Sequence, residues 1–402
     1  MRIDRLTLTG FRNIGEMELS PCPGVNVIYG DNAQGKTNLM EAIYLFTGAK
    51  SFRGAKDREM VGLGEVKTLL QLEFFGEGRT QTAQISLAPK KAVHLNEILL
   101  DSSTKLAGQF TAVVFSPSHL SLIQDGPQER RRFLDTTICQ LKPKYIRVLN
   151  DYSRVLAQRN SLLKDVAFSS YLLDTLDIWD QHLVRLSATI TRTRYTYLEK
   201  LKQLAGEVYK GISREKEEFS LRYLSKACPD LADLSAPGLE EAIAEAVRKA
   251  RREDLKAGST TVGAHRDDLE ISINGMNVRT YGSQGQQRSA VLALKLSECG
   301  MIRQLTGEEP VVLLDDVMSE LDESRREYLL NHMGDRQIFI TCCDPNYFRH
   351  LEDGKSFHIQ GGAIYKVEEY GRPQKEENPC ICMIFSGIEI VPALLLRQID
   401  IT

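Results

Sequence analysis

Residues Gly30 to Thr37 read Gly-Asp-Asn-Ala-Gln-Gly-Lys-Thr, a complete G-x-x-x-x-G-K-T phosphate loop. The apolar segment Val25 to Tyr29 before it predicts a strand, and the periodic segment Leu39 to Phe46 after it predicts a helix. That context forces a strand–loop–helix unit in which the helix start turns unpaired N–H groups and the positive dipole end toward phosphate oxygens. Gly30 and Gly35 permit backbone turns that a Cβ would hinder. The candidate nucleotide-binding residues are therefore Gly30, Asp31, Asn32, Ala33, Gln34, Gly35, Lys36, Thr37 and Asn38. Lys36 is expected to neutralise β/γ-phosphate charge, and Thr37 to place a hydroxyl on Mg²⁺.

A chain of 402 residues has room for two or three domains, and its 42% apolar and 26% charged content is that of an ordinary soluble globular protein. Met1 to Leu8 already alternates as a strand, and no stretch reaches the roughly 20 apolar residues a membrane helix needs. A cytoplasmic setting and no membrane partner are expected. With a net charge of −3, bulk electrostatics do not announce a nucleic-acid partner, so such contacts require local basic patches. The eight cysteines lack C-x-x-C spacing and read as reduced, mostly buried thiols rather than zinc ligands or disulfides.

Alternating β-pattern recurs through the first 125 residues or so, in Arg2 to Thr9, Glu16 to Ser20, Thr68 to Phe75, Thr82 to Leu87, Val93 to Leu100 and Ala112 to Ser116. From about Gln128 the texture becomes helical. Ala188 to Val208 and Leu239 to Asp254 carry apolar residues at three- and four-residue spacing among many charges. β texture returns at Thr260 to Val278, followed by helix Gln287 to Gln304, strand Pro310 to Leu314, helix Glu323 to Met333, strand Gln337 to Thr341 and a hairpin turning at Gly361-Gly362. The expected fold class is α/β, a P-loop ATPase head with an inserted all-helical lobe. Residues 1–127 and 256–370 form the two halves of the head, 128–255 the lobe, and 371–402 an atypical extension. The halves must fold together, because the nucleotide motifs are divided between them.

The run Val311-Val-Leu-Leu-Asp315-Asp316 has the composition of a buried parallel strand ending in two carboxylates. Ligands bind at that end of α/β sheets. Asp315 is the candidate Mg²⁺ ligand, and Asp316 the candidate catalytic acid that orients or polarises water, with Lys36 completing the phosphoryl-transfer set. A helix cap after a core strand is the plainer alternative. Between these motifs, Ser283, Gln284, Gly285 and Gln286 open a helix as a second anion-binding turn. One ATP needs one phosphate loop, so this second turn is expected to serve a nucleotide held by another copy.

Together the motifs resemble the RecF family of bacterial recombination-repair ATPases, of the ABC/SMC-type head class, over about residues 1 to 368. The resemblance rests on Leu8-Thr-Gly-Phe-Arg-Asn13, the phosphate loop through Asn38, Ser51-Phe-Arg53, Arg130-Arg-Arg-Phe-Leu-Asp135, His265-Arg-Asp-Asp268, Ser283-Gln-Gly-Gln-Gln-Arg288 and Leu314-Asp-Asp-Val-Met-Ser-Glu-Leu-Asp322. It implies an ABC-type head whose Ser283–Gln286 stands at the transporter signature and whose Ser319–Asp322 stands at the dimer-facing D-loop. It further implies a homodimer that sandwiches ATP, holds DNA at gaps or single-strand/double-strand junctions, and helps load RecA with RecO-like and RecR-like partners. Thr341-Cys342 occupies the usual switch-histidine region, so slow hydrolysis is expected, with ATP acting as a dimerising ligand.

Candidate DNA-phosphate contacts are Arg12, Arg53, Arg130, Arg131 and Arg132, with Lys56, Arg58, Arg251 and Arg252 as weaker ones. The Arg130–Arg132 triplet has an equal claim to tying the lobe to the head. His265 to Asp268 is a thin metal-ligand set and reads as domain coupling, while Cys342-Cys343 reads as core. The alternatives are the ATPase subunit of an ABC-type transporter, against which the long insertion between Lys36 and Ser283 counts, and a nuclease with an ATPase head.

Overall fold

The computed structural model describes residues 1–165, 173–229, 231, 235–343 and 354–370. The extension 371–402 lies outside them. Among the described residues, three sheets organise the chain. The first is antiparallel, in the order β2-β1-β4-β5-β6-β7, from β1 (Arg2–Phe11), β2 (Ile14–Leu19), β4 (Thr68–Gly76), β5 (Arg79–Ala88), β6 (Ala92–Leu95) and β7 (Ile98–Leu100). The second carries the nucleotide motifs in the order β15-β14-β3-β13-β12-β8, from β3 (Val25–Tyr29), β8 (Ala112–Phe115), β12 (Val311–Asp315), β13 (Ile338–Cys342), β14 (Gly354–Gln360) and β15 (Ala363–Tyr370). Its pairs are parallel except β14–β15.

This second sheet interleaves the two ends of the chain: β3 sits between β13 and β14, and β12 between β8 and β13. Residues β12 and β13 are buried throughout, which explains their unbroken apolar runs. Helix α1 (Lys36–Leu45) fills the space between the two sheets, sharing a core with Leu6, Leu8, Leu70, Phe74, Val311 and Phe339. On the opposite face, α8 (Gln284–Thr306) and α9 (Glu323–Asn331) cover Val27, Val312, Leu314 and Ile340.

The lobe contains the short α2 (Ser121–Gln124), α3 (Pro127–Leu141), α4 (Pro143–Asp165), α5 (Leu173–Ser213) and α6 (Ala236–Ala257). It is not all-helical. Strand β9 (Phe219–Leu224) follows α5 and pairs antiparallel with β10 (Asp268–Ile273), which pairs with β11 (Met276–Asn277). The β texture at Thr260 to Val278 thus joins a small third sheet instead of either head sheet. The alternation Phe219-Ser-Leu-Arg-Tyr-Leu224 is present in the sequence, but six residues between two long amphipathic helices are swamped by the helical period. Phe219, Leu221, Leu269 and Ile271 point into the lobe core, which gives the strand its partner and its register.

Short α7 (Val278–Tyr281) leads into α8, whose middle, from Ser289 to Cys299, is buried nearly all round, with Lys295 and Glu298 paired inside it. Leu292, Leu296 and Ile302 pack on the nucleotide-bearing sheet, while Ala290, Ala293, Leu294 and Met301 pack in the lobe. One helix therefore belongs to both cores.

Candidate nucleotide site

The phosphate loop leaves β3 with Gly30 at φ 147° and enters α1 through Gly35 at φ 111°. A Cβ on Gly30 would lie 2.3 Å from the Ile359 carbonyl oxygen, so the loop's start admits no larger residue. The N-cap position of α1 is Gly35, so among the described residues no side chain caps the helix. Its first N–H groups have no acceptor within the helix, as an anion site requires. The Lys36 ammonium lies over the loop and donates to the carbonyls of Gly30 (2.6 Å) and Asp31 (2.8 Å).

At the end of β12, Asp315 is buried, and its Oδ1 accepts hydrogen bonds from Thr37 Oγ1 and Thr341 Oγ1, each at 2.9 Å. Burial pushes its carboxyl above the usual value and Asp316 adds to the shift, while the two threonine bonds oppose it. A hydroxyl and a carboxylate held together are hard oxygen donors suited to Mg²⁺, which characteristically takes few protein ligands and completes its shell from water and phosphate. Among the described residues there is no group of three or more His, Cys, Asp or Glu side chains that would hold a metal unaided. Asp316 follows at φ 53°, in the left-handed region, with its N–H on Thr341 Oγ1 (2.9 Å) and its side chain exposed. The reversed backbone separates the two carboxylates, one inward and one outward.

Glu41, on α1, is a residue of the site that the sequence did not reveal. It is fully buried and accepts Arg12 Nε and Nη2 at 2.9 Å each, with Ser51 Oγ also on it. Arg53 donates to Asn38 Oδ1 (2.9 Å), Asn38 to Asn13 Oδ1 (2.7 Å), and Asn13 to the Ala33 carbonyl (3.3 Å). Two sequence motifs distant from the phosphate loop thereby fasten its flank. The only signal was an acid among the apolar residues of the α1 pattern. Gln34 is pinned by the β14–β15 turn, whose Gly362 N–H donates to its carbonyl (3.0 Å). Cys343 corrects the reading of the cysteine pair as core: Cys342 is buried, but Cys343 is exposed, donating to Asn32 Oδ1 (3.2 Å) and lying 3.8 Å from Lys36 Nζ.

Ser283 caps α8 through a reciprocal box: its Oγ accepts from Gln286 N (3.2 Å), and its N–H donates to Gln286 Oε1 (2.8 Å). Ser283 and Gln284 are exposed. Arg325 donates to the Gly285 carbonyl (3.0 Å) and Ser289 Oγ (2.8 Å), and Arg288 donates to the Glu320 carbonyl (2.5 Å). The serine turn and the segment Ser319 to Asp322 are thus riveted side by side.

The basic candidates divide. Arg130 is 5% exposed and bonds both oxygens of Asp268, at 2.7 and 3.1 Å, together with the Asp125 carbonyl at 2.9 Å. It is a buried strut between α3 and β10, with little surface left to offer DNA. The Arg12 guanidinium is likewise committed, to Glu41 and the Glu59 carbonyl. Arg131 donates to the Asp267 carbonyl (2.7 Å) and Arg132 to that of Ser51 (3.3 Å), while Arg251 pairs with Asp177. Arg53 and Arg132 remain about half exposed.

The family description RecF/RecN/SMC N terminal domain matches residues 2–361. The DNA replication and repair protein RecF of Acetivibrio thermocellus is 41% identical over 371 residues, covering 91% of this chain and 100% of the relative. The chain belongs to the RecF family. A solved recombination mediator protein, RecF-ATPrS in the RecFOR pathway, superposes on this RecF-family chain with a TM-score of 0.85 at 36% identity, covering 90% of this chain and 97% of that one. An Smc head domain from Pyrococcus furiosus, at TM-score 0.52 and 15% identity over 92% of this chain and 96% of its own, shares the fold of the head. The fold is that of an ABC-type ATPase head, as the RecF-like motifs implied.

Proposed function

We propose that this chain is an ATP-dependent DNA-binding protein of recombinational repair and replication-gap processing. Two copies close on ATP, each Lys36 loop being completed by the partner's Ser283 turn, and the closed pair holds DNA at gaps or strand junctions. RecO-like and RecR-like proteins are the partners with which it helps RecA to load. The observation that carries this reading is the uncapped start of α1 beneath Lys36, beside the paired oxygens of Thr37 and Asp315. Solved RecF bound to an ATP analogue supports the same cofactor here.

In this reading the α1 N–H groups and Lys36 hold the phosphates, and Thr37 and Asp315 hold Mg²⁺. Bound Mg²⁺ neutralises charge that develops on the phosphate oxygens. Asp316, outside the buried pair, orients water. ATP that binds across two copies favours the dimer by mass action, and hydrolysis removes that preference. Arg53 and Arg132 are the basic groups proposed to face DNA, with Arg131 a lesser contributor. Membership in the RecF family speaks against the transporter alternative.

Mass and DNA retention, measured without nucleotide, with ADP and with ATP on gapped and fully duplex DNA, test the whole scheme. Lys36→Met is expected to abolish both nucleotide binding and ATP-dependent retention. Undiminished ATP-dependent retention by that variant would refute the assignment.

A further inference from the structure

Between α5 and β9 the chain turns through Arg214 and Glu215, at φ 54° and 60°, and delivers Glu217 against the start of α8. Both carboxylate oxygens are used. Oε1 accepts from Gln286 Nε2 at 2.7 Å, and Oε2 accepts from the Tyr209 hydroxyl at 2.7 Å. Tyr209 belongs to α5, has no exposed surface, and stacks on Phe219 of β9 with ring centroids 4.8 Å apart. A continuous line of hydrogen bonds therefore runs from the long lobe helix through Glu217 and Gln286 to Ser283.

We propose that Glu217 is a positioning residue: it fixes the Ser283 turn in the form that meets a second copy's triphosphate, and it ties that form to α5. The inference rests on the dimer reading given above. Its chemistry is that of an amide with two unlike ends. A carboxylate accepts but cannot donate, so it selects the Gln286 orientation with Nε2 toward Glu217 and Oε1 toward the Ser283 N–H. A flipped amide would set a carboxylate against a carbonyl oxygen and an NH₂ against an N–H. With Ser283 Oγ accepting from Gln286 N, its hydroxyl hydrogen is left to donate outward, which is what an anionic phosphate oxygen requires. Arg325 and Arg288 hold the backbone beneath the turn, so the side-chain box is the adjustable part.

The test uses the full chain with ATPγS and Mg²⁺, comparing wild type with Glu217→Ala, Glu217→Gln and Tyr209→Phe. Fluorescent-nucleotide affinity at protein concentrations too low for dimers should stay within about 2-fold for all three, because the Lys36 loop is untouched. The dimer dissociation constant, from sedimentation, should rise about 10-fold in Glu217→Ala, equivalent to about 1.4 kcal/mol. Glu217→Gln should recover to within about 3-fold, since its carbonyl still accepts from Gln286 and its amide donates to Tyr209. Tyr209→Phe should fall between them. Dimerisation of Glu217→Ala as tight as wild type, or tighter, would overturn the proposal, as would a parallel loss of monomer nucleotide affinity. A wild-type chain that stays monomeric with saturating nucleotide would instead overturn the dimer reading itself.

Discussion

Asp315 shows how a single buried carboxylate is made useful. Its burial disfavours the charged form, and Thr37 and Thr341 each offset part of that cost with a hydroxyl. Thr341→Val removes one of these bonds and strips the Asp316 N–H of its acceptor as well. A stability loss of about 1–3 kcal/mol is expected in urea unfolding, together with weaker Mg²⁺-nucleotide binding. The raised pKa also has a sign. A proton is held more tightly than by an exposed aspartate, so proton and cation compete at higher pH than usual. Mg²⁺-dependent nucleotide affinity should therefore decline on acidification before an unburied carboxylate would titrate. Asp315→Asn should lose this pH dependence along with most of the Mg²⁺ effect; an unchanged profile would remove Asp315 from the metal site.

Elements are joined by residues that no local pattern marks as connectors. The segment His265 to Asp268 is a hub: His265 meets the Tyr152 hydroxyl of α4 at 2.7 Å, Asp267 takes bonds from Thr191 of α5 at 2.7 Å and Tyr223 of β9 at 2.8 Å, and Asp268 pairs with Arg130 of α3. The reading of that motif as domain coupling agrees with these partners. Burial drives His265 down to about 4 from the ordinary 6.5. The unfolded chain then takes up a proton that the folded one refuses, so stability is fully present above about pH 6.5 and is lost as the pH falls toward 4. Between pH 7 and pH 5 the loss should be about 2 kcal/mol. Denaturation midpoints at the two pH values, compared with those of His265→Gln, check this: the variant's dependence should be flatter by that amount.

For the whole molecule, the decisive feature is that α8 belongs to both cores while its exposed start carries Ser283. Movement of the lobe relative to the head must pass through the helix that is proposed to close the partner's nucleotide site. Ser283→Arg adds bulk and charge at that exposed position without touching the Lys36 loop. Monomer nucleotide affinity should be preserved while the ATP-dependent doubling of mass disappears in sedimentation. Normal dimers from this variant would mean that the serine turn lies outside the interface.

Sequence alone determined what short stretches of chain can determine. The phosphate loop, the Asp315-Asp316 strand end and the Ser283 turn each lie within eight residues or so, so their residue types were legible, although Gly362, Thr341 and Arg325, far along the chain, hold their backbones. That the two halves fold together was legible, because the nucleotide motifs fall in both, while the order in which their strands interleave was not. Only the tertiary structure decided which charges are spent inside. Arg130 and Arg12 look like surface cations in a sequence, yet their acceptors are Asp268, 138 residues away, and Glu41, 29 residues away. The roles of Thr341, Glu217 and β9 were hidden for the same reason. A hydrogen bond or a strand pair is specified by both members, and when the second lies far along the chain the first carries no mark of it.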